Sequence, residues 1–426
     1  MPILLIIITF LALPLHALVE MTYLERTQLL IPLYQDLHAH PELSFHEQNT
    51  SERFALELKT LGYEVTKNIG GYGVVGKLAN GKGRTLLLRA DLDALPLTEE
   101  TGLKFASKQK QVLKDGREVG IMHACGHDIH MSSLLGVARK LSESKNLWKG
   151  TLLIIGQPAE EKGGGSKAML ETGLYRKFSK PDFALAFHVA PYLEAGKVGI
   201  KPGYLMANVD TLDITLKAKG GHGALPHLTI DPIVMASQLV LDLQTIISRE
   251  KNPMDPGVIT IGSIKAGSKH NIISDRAELQ VTVRSLTSAS RQLLLDGIER
   301  KAKAVAASFK APAPEIRMTE EPVPSLYNDE KLTTRIRPVL EKTLGKENVV
   351  DAELQMIGED FSRYREGEVP IVMLILGSIE KNRLENYRKK DAIPVLHSST
   401  YYPDAEPTLL TGITAMSETA LSLLTP

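Results

Sequence analysis

The chain has 426 residues, of which 43% are hydrophobic, and it carries equal numbers of basic and acidic side chains, 50 of each. This length predicts about two domains with a large core, and the composition excludes disordered and collagen-like classes. The formal net charge of zero leaves no basic surplus to neutralise phosphates, so nucleic acid is not expected as a partner.

The N-terminus, MPILLIIITFLALPLHALVE, predicts a secretory signal peptide over residues 1–17. Its apolar run, Ile3–Leu15, is too short to span a bilayer, and Ala17 offers a small residue at the cleavage point. The segment before this run carries no lysine or arginine, so a membrane anchor or a mis-assigned start remains an alternative. We expect a secreted or periplasmic protein whose mature chain does not insert stably into a membrane.

A single cysteine, Cys125, lies in the sequence HACGHDIH (123–130). One thiol cannot form an internal disulfide in an oxidising compartment, and a lone cysteine is more often a small buried apolar residue. Thiolate and imidazole are, however, preferred ligands of zinc and similar transition metals. Cys125 and His127 would project the same way from an extended segment. A metal site therefore needs further donors from elsewhere in the chain.

Apolar runs supply such donors at their ends. The runs are GRTLLLRADLDALP (83–96), GTLLIIGQPAEEKGGG (150–165), PDFALAFHV (181–189) and VPIVMLILGS (369–378). They lead to Asp91 and Asp93, to Glu160 and Glu161, to His188 and, after a polar loop, to His397. Runs of this length predict buried strands of a mostly parallel sheet. Helical patterns over 44–61, 128–143 and 166–177 predict helices on both faces. Ligands of such α/β sheets lie beyond the carboxyl ends of the strands, where these side chains are.

The middle of the chain predicts a separate α+β unit. Strands are predicted over 208–220 and in GVITIGSIKAG and AELQVTVRSL, with helices over 231–249 and 288–308. Such an insert forms one sheet with helices on one face. The predicted division is a signal peptide (1–17), a catalytic domain in two parts (18–206 and 313–426) and an inserted ferredoxin-like lid or dimerisation domain (207–312).

Motifs that carry a family resemblance occur in order along the chain. They are HAHPELSFHE (38–47), RADLDALP (89–96), MHACGHDIHM (122–131), GQPAEEKGGG (156–165), GGHGALPH (220–227), HNIISD (270–275) and GEDFS (358–362). With them, residues 25–420 resemble the amidohydrolase branch of the aminoacylase/carboxypeptidase metallopeptidases. This branch includes hippurate hydrolases and hydrolases of indole-acetyl amino acid conjugates. The resemblance implies a dinuclear metal site in the larger domain and a lid that often mediates dimerisation.

The resemblance also implies a role for individual residues. The implied metal ligands are Cys125, His127, Glu161, His188 and His397, with Cys125 in a position to bridge two ions. Glu160 matches the general acid/base of the family. Because neighbouring side chains diverge, one of two adjacent glutamates can bind metal while the other meets the attacking water.

Three further residues match positions around the reaction centre. His222, in the GGHG of the lid, resembles a histidine that stabilises the oxyanion, supplied by the partner subunit of a dimer. Asn271 resembles a lid residue that contacts the substrate. Asp93 is expected to orient a ligand imidazole. Other histidines have no assigned role at this stage: His38, His40, His123, His130, His227 and His270.

These inferences predict a metal-dependent hydrolase that cleaves the amide bond of N-acyl amino acids or short peptides with a free carboxylate. We expect two divalent ions, zinc or manganese, with cobalt or nickel as alternatives. N-acetyl-diaminopimelate deacetylation is a narrower alternative of the same chemistry, although a biosynthetic role favours the cytosol. From a different class, a metal-stabilised binding protein without catalysis would have little reason to retain Glu160.

Overall fold

The computed structural model describes residues 21–113 and 115–425, so the predicted signal peptide over 1–17 lies outside the described residues. The α-helices are α1 (Tyr23–Ala39), α2 (Gln48–Thr60), α3 (His127–Glu143), α4 (Gly165–Glu171), α5 (Leu174–Phe178), α6 (Pro232–Thr245), α7 (Ser288–Ser308), α8 (Glu330–Leu344), α9 (Lys381–Lys389) and α10 (Ala405–Leu424). The strands are β1 (Glu64–Thr66), β2 (Val74–Asn80), β3 (Thr85–Asp91), β4 (Lys110–Val112), β5 (Glu118–Gly120), β6 (Gly150–Gln157), β7 (Phe183–Glu194), β8 (Val198–Ile200), β9 (Gly203–Met206), β10 (Asn208–Lys217), β11 (Gly221–His222), β12 (Gly257–Ala266), β13 (Ile272–Ile273), β14 (Arg276–Ser285), β15 (Glu315–Met318), β16 (Leu326–Asn328), β17 (Val349–Asp351) and β18 (Ile371–Ile379).

The larger sheet has eight strands in the order β1-β2-β6-β3-β7-β18-β8-β17. Its central strands, β6, β3, β7 and β18, are parallel to one another, while β1, β2 and β8 pair antiparallel with their inner neighbours. β18 is buried along its whole length, as a strand covered on both faces must be. The predicted mostly parallel sheet is confirmed.

Helices cover both faces of this sheet. Leu86 and Leu88 of β3 belong to the core that contains α1, α3, α8 and α10. Leu87, between them, belongs to the opposite core with Met169 of α4 and Leu174 of α5. Because successive side chains of a strand point to opposite faces, the continuous apolar run fills both cores at once.

The inserted segment forms a second sheet of four antiparallel strands in the order β12-β14-β10-β15. Its chain order, β10, α6, β12, β14, α7 and β15, is the βαββαβ connectivity expected of a ferredoxin-like unit. α6 and α7 cover one face through a separate core that includes Leu239, Val281 and Leu294. β15 lies beyond the predicted boundary at residue 312, yet it belongs to this sheet because it pairs with β10.

The observed helices differ from the helices predicted from the sequence mainly in where they end. The pattern over 166–177 divides into α4 and α5 at Gly173, which adopts φ 95° and cannot continue a helix. The pattern over 231–249 ends as α6 followed by a π-helical turn, Ile246–Glu250. Within the described ranges, none of the helices combines the length and apolar character needed to cross a bilayer.

His38 joins α1 to the start of α3. Its Nδ1 lies 2.6 Å from Asp128 Oδ2, and its Nε2 lies 3.0 Å from Glu99 Oε1. Burial alone would lower the pKa of His38, but hydrogen bonds from the ring to the two carboxylates raise it to about 9. The ring is therefore charged at neutral pH, and this buried triad fixes the first turn of α3, which begins at His127.

Candidate metal centre

The acidic residues after β3 and β6 lie side by side at one edge of the large sheet. β3 and β6 pair in parallel up to Asp91 and Gln157, so both chains leave the sheet at the same level. Asp93 follows β3, and a short 3₁₀ turn that starts at Glu160 follows β6. The predicted meeting of these carboxylates is therefore a direct result of the strand register.

His188 lies at the same edge of the sheet but inside strand β7, not at its end. The strand does not end there, as the sequence pattern indicated, but continues to Glu194. The pairing of β3 with β7 ends at Arg89 and Ala186, so beyond this point the β3 side of β7 is open. The His188 ring lies at this opening, with its Nε2 3.5 Å from Cys125 Sγ.

The loop before α3 supplies Cys125 and His127. Gly126 between them is the N-cap of α3 and adopts φ 77°, so the segment is a tight left-handed turn and not the expected extended run. His127 is the first residue of the helix. A Cβ atom at Gly126 would lie 2.6 Å from the side chain of Val189, so packing as well as conformation requires glycine here.

His397 comes from the loop between α9 and α10. Its backbone N–H donates to the Ala124 carbonyl at 2.9 Å, which ties this loop to the one that carries Cys125. The His397 Nε2 lies 3.4 Å from Glu161 Oε1, and the histidine side chain is 54% exposed. His397 therefore forms the solvent side of the cluster.

Among the overlapping groups of possible donors at this edge, two share Cys125 and together contain all the predicted ligands. One group is Cys125, His127 and His188, and the other is Cys125, Glu161 and His397; within each, the donor atoms lie within 4.8 Å of one another. The structure thus brings all the sequence-predicted ligands together, with Cys125 between two neighbouring groups. Glu160 lies beside them, with its Oε2 3.9 Å from His127 Nε2.

Hydrogen bonds leave the donor atoms free to bind a cation. The Nδ1 atoms of His127 and His188 lie 2.8 and 2.9 Å from the carbonyls of Asp93 and Val189. Because a carbonyl can only accept, each Nδ1 donates, which leaves each Nε2 as the ring atom that can bind a metal ion once it has lost its proton. His127 Nε2 and Glu161 Oε1 are buried without a hydrogen-bond partner, although buried polar atoms normally have one. Thiol, imidazole and carboxylate donors in this state fit divalent transition-metal ions.

The local charges also favour a cation. Burial alone would lower the pKa of His127, but Asp91 and then Asp93 raise it to about 10. Burial, followed by the carboxylate of Glu359, holds the pKa of Glu160 well above its usual value. The carboxylates that raise these pKa values would also attract a bound metal ion.

Asp93 contacts the site through both its backbone and its side chain. Its carbonyl makes the short contact with His127, whereas its Oδ1 lies 3.5 Å from the same ring nitrogen. Its carboxylate accepts the backbone N–H groups of Glu160 and Glu161 at 3.1 and 3.0 Å. Asp93 therefore orients the imidazole and the turn that carries the two glutamates.

Arg89 and His130 complete the surroundings of the site, and neither has a role predicted from the sequence. Arg89 is buried and donates at 2.7–3.1 Å to three carboxylates, those of Asp91, Glu359 and Asp360. The Nδ1 of His130 lies 2.7 Å from Asp91, and its Nε2 accepts the N–H of Val189 at 3.0 Å. The signal that could have identified Arg89 is a charged residue inside an apolar strand, since such a charge must be paired in the core.

His222 and Asn271 lie apart from the donor cluster in this chain. They belong to the small two-stranded unit of β11 and β13 and its adjoining turn, where the N–H of Gly223 donates to the Asn271 carbonyl at 2.9 Å. Both side chains are exposed, and neither lines the cavity beside the donors. Of the other histidines without a predicted role, His40, His227 and His270 are exposed, and His123 is buried with neither ring nitrogen hydrogen-bonded to a described residue.

The donor cluster forms one side of a cavity of about 600 Å³ between the two sheets. The opposite side is the uncovered face of the four-stranded sheet. Thr260, Thr282 and Thr211 lie in register across β12, β14 and β10, and Arg284 follows two residues later on β14. Apolar side chains complete the lining: Val209, Val258, Val323, Met356, Ile357 and Leu396. The cavity therefore holds metal donors, two cationic side chains (Arg284 and Lys162), further carboxylates and an apolar wall.

An α/β sheet with paired metal-donor groups at its carboxyl edge and a smaller sheet across the cavity defines a metal-dependent hydrolase. Residues 87–396 match peptidase family M20/M25/M40, and the chain belongs to this family. The fold and the hydrolase class expected from the sequence are confirmed.

Similar sequences and one similar crystal structure align with most of this chain. Thermostable carboxypeptidase 1 of Saccharolobus solfataricus is 36% identical over 381 residues, which are 88% of this chain and 91% of the relative. N-acetyldiaminopimelate deacetylase of Geobacillus thermodenitrificans is 38% identical over 349 residues, 82% of this chain and 88% of the relative. The crystal structure of a dinuclear metal-binding peptidase of the M20 family from Bacillus subtilis is similar at a TM-score of 0.75 and 31% identity, covering 94% of this chain and 98% of the other.

Removing the shared donor tests the metal centre. Because Cys125 belongs to both donor groups, Cys125→Ala is expected to abolish most of the stabilisation that Zn²⁺ gives to the chelator-treated protein. At a hundredfold excess over Kd, that stabilisation is about 2.7 kcal/mol for one site. Denaturant unfolding with and without Zn²⁺ measures it, with His227→Ala as the exposed-histidine control. Equal stabilisation of Cys125→Ala and the wild type would contradict the assignment.

Proposed function

We propose that this enzyme hydrolyses the amide bond of N-acyl amino acids or short peptides that carry a free carboxylate. The observation that carries the proposal is the cavity itself, which has the donor cluster and Glu160 on one side and Arg284 on the other. An amide bond at the donors and a carboxylate at the arginine would span such a cavity. Relatives named as a carboxypeptidase and an N-acetyl amino acid deacetylase support the same substrate class.

Arg284 is the substrate-facing charge of the lid sheet. It is half-buried, and within the described ranges no hydrogen bond or ion pair satisfies its guanidinium group. The nearby carboxylate of Glu320 accepts a hydrogen bond from Thr211 at 3.1 Å. A guanidinium group stays charged at every working pH and binds a carboxylate with two parallel hydrogen bonds. Arg284 is therefore our candidate for binding the free carboxylate.

We assign the two donor groups to two divalent ions with Cys125 shared between them. The ligands are Cys125, His127, Glu161, His188 and His397. We expect zinc or manganese, with cobalt or nickel as alternatives, since this mixed donor set suits each of them. When bound, such ions acidify a water molecule and polarise the scissile carbonyl.

Glu160 is our candidate general acid/base. Its carboxylate lines the cavity beside the donors, while the adjacent Glu161 diverges towards His397. In the reaction, Glu160 takes a proton from the attacking water and delivers it to the departing nitrogen as the amide C–N bond breaks. The products are a carboxylic acid and a free amine. Asp93 keeps the Glu160 backbone in place throughout.

We further propose that the chain acts as a homodimer through the four-stranded sheet. β12 is an edge strand of that sheet, and Ile233, Val234 and Leu241 of α6 are 48%, 50% and 67% exposed. An edge strand beside exposed apolar side chains is suited to pairing with a second copy. His222 and Asn271 would then reach the cavity of the partner subunit, where His222 would stabilise the oxyanion.

Export is the part of the proposal that rests on the N-terminal sequence alone. Its apolar run and the small residue Ala17 support a secreted or periplasmic location. N-acetyldiaminopimelate deacetylation is the second candidate function, favoured by the 38% identical relative of that name. A biosynthetic step of this kind belongs in the cytosol, so export favours the broader hydrolysis of N-acyl amino acids.

Glu160→Gln tests the catalytic assignment. Glutamine keeps the shape of the side chain but cannot carry the proton, so kcat should fall at least about 10²-fold while metal binding persists. Amine release is measured on a panel of N-acyl amino acids and dipeptides, with the chain from Leu18 loaded with zinc or manganese. Equal turnover by the variant and the wild type would contradict the role of Glu160. Metal binding by a wild type that cleaves nothing would favour the binding-protein alternative.

Arg284→Met tests the carboxylate site. Loss of a charged hydrogen bond of about 1.5–3 kcal/mol should raise KM for an N-acyl amino acid roughly 10- to 100-fold. KM for the matching N-acyl amino acid amide, which has no carboxylate, should change little. Thr260→Val, on the same face of the sheet, is the control variant. An unchanged preference for the acid over the amide would place carboxylate binding elsewhere.

Mixing two inactive variants tests the contribution of the second subunit. If His222 acts in the partner's cavity, dimers that combine Glu160→Gln with His222→Ala contain one complete site. A randomly mixed population should then recover about a quarter of the wild-type specific activity, because half of its dimers are mixed. Co-expression with two affinity tags isolates the mixed dimers, and sedimentation confirms their size. No recovery in isolated mixed dimers would show that His222 acts in its own chain, and an active His222→Ala homodimer would show that His222 has no role in the reaction.

A further inference from the structure

The turn after β6 is held by buried carboxylates at successive backbone N–H groups. Glu47 Oε1 accepts the N–H of Ala159 at 2.8 Å. The carboxylate of Asp93 accepts the next two, those of Glu160 and Glu161. Two side chains thus fix three consecutive backbone amides, those of Ala159, Glu160 and Glu161. Glu47 holds the first of these amides.

This turn needs external support because its backbone is unusual. Ala159 has φ 50°, in the left-handed region that a residue with a Cβ atom rarely adopts. A Cβ atom at Gly165 would lie 1.5 Å from the Pro158 carbonyl oxygen, so the chain also folds back closely on itself. Such conformations persist only where the surroundings fix them. The hydrogen bond that the Ala159 N–H donates to Glu47 stabilises the strained residue itself.

The Glu47 side chain contacts the turn and its own segment, and it does not cap the helix that it precedes. It occupies the N-cap position of α2 but makes no side-chain cap bond there. Its Oε1 also accepts the N–H of Phe45 at 2.9 Å, and its Oε2 is buried without a hydrogen-bond partner. The residue is fully buried. In the same segment, Ser44 Oγ donates to Asp93 Oδ2 at 2.6 Å.

We propose that Glu47 is a positioning residue, which holds the turn that presents Glu160 to the substrate and Glu161 to the metal. The proposal rests on the roles proposed above for these two glutamates. It gives a function to the HAHPELSFHE segment, in which the sequence showed no chemistry. What Glu47 supplies is a fixed acceptor atom, and its negative charge is not required.

The variants Glu47→Ala and Glu47→Gln separate the acceptor from the charge. Alanine removes the acceptor, so metal affinity and kcat should each fall about 10- to 100-fold, with KM little changed. Glutamine retains an acceptor oxygen and puts its amide nitrogen where Oε2 has no partner, so it should restore values close to the wild type. Burial, followed by the carboxylate of Asp93, raises the pKa of Glu47 to about 7, so an uncharged group is not foreign to this position.

Glu42→Ala is the matched control. Its carboxylate lies in the same segment and accepts hydrogen bonds from Asn49 and Thr50 at the start of α2. Its removal should lower the free energy of unfolding without changing the metal affinity of the folded protein. If Glu47→Ala does not fold, Glu47→Asp replaces it. Aspartate keeps the charge but withdraws the acceptor, so metal affinity should fall, whereas Glu47→Gln should still retain it.

Metal affinity is measured by calorimetry with Zn²⁺ on the chelator-treated full chain, and kcat and KM on the loaded enzyme. Wild-type affinity and kcat in Glu47→Ala would overturn the proposal, as would a Glu47→Gln variant as impaired as Glu47→Ala. A wild type without turnover, or an active Glu160→Gln, would instead refute the proposed function. In either case the Zn²⁺ affinities of the Glu47 variants still decide whether Glu47 positions the turn.

Discussion

The rest of this structure depends on one constraint. At the carboxyl edge of the large sheet, metal-donor atoms are buried without hydrogen-bond partners. The parallel register of β3 and β6 brings their ends to one level, and backbone carbonyls lock the imidazoles of His127 and His188 with Nε2 outward. His127 Nε2 and Glu161 Oε1 then have no hydrogen-bond partner among the described residues. Burying such atoms is unfavourable, so binding of a cation and stability of this edge are coupled.

Carboxylates with no proposed role in substrate binding stabilise this edge of the large sheet. Arg89 neutralises three of them in the core, and Asp93 and Glu47 use theirs to hold backbone amides. Because these contacts are made to the backbone, the side chains of Glu160 and Glu161 remain free to diverge. One turn can therefore present the proposed acid/base, Glu160, and the proposed metal ligand, Glu161, at adjacent positions. Both roles require a rigid turn.

The sequence predicts the sheet and the donor set well because both follow from local patterns. Apolar runs such as that of β18 identify strands buried on both faces, and motif matches identify the donors. The sequence does not reveal that β7 continues past His188, since the opening depends on where β3 stops pairing. It also does not reveal Glu47, because a glutamate before a helix resembles an ordinary cap. The contact with Ala159 spans 112 positions along the chain, and only the folded structure brings the two together.

The most direct test of the account is X-ray absorption at the zinc edge of the metal-loaded protein, in the wild type and in Cys125→Ala. The account predicts a sulfur neighbour at about 2.3 Å together with nitrogen and oxygen neighbours at about 2.0–2.2 Å. The sulfur contribution should disappear in the variant. A wild-type spectrum with only nitrogen and oxygen neighbours would contradict the central claim that Cys125 joins the two donor groups into one metal centre.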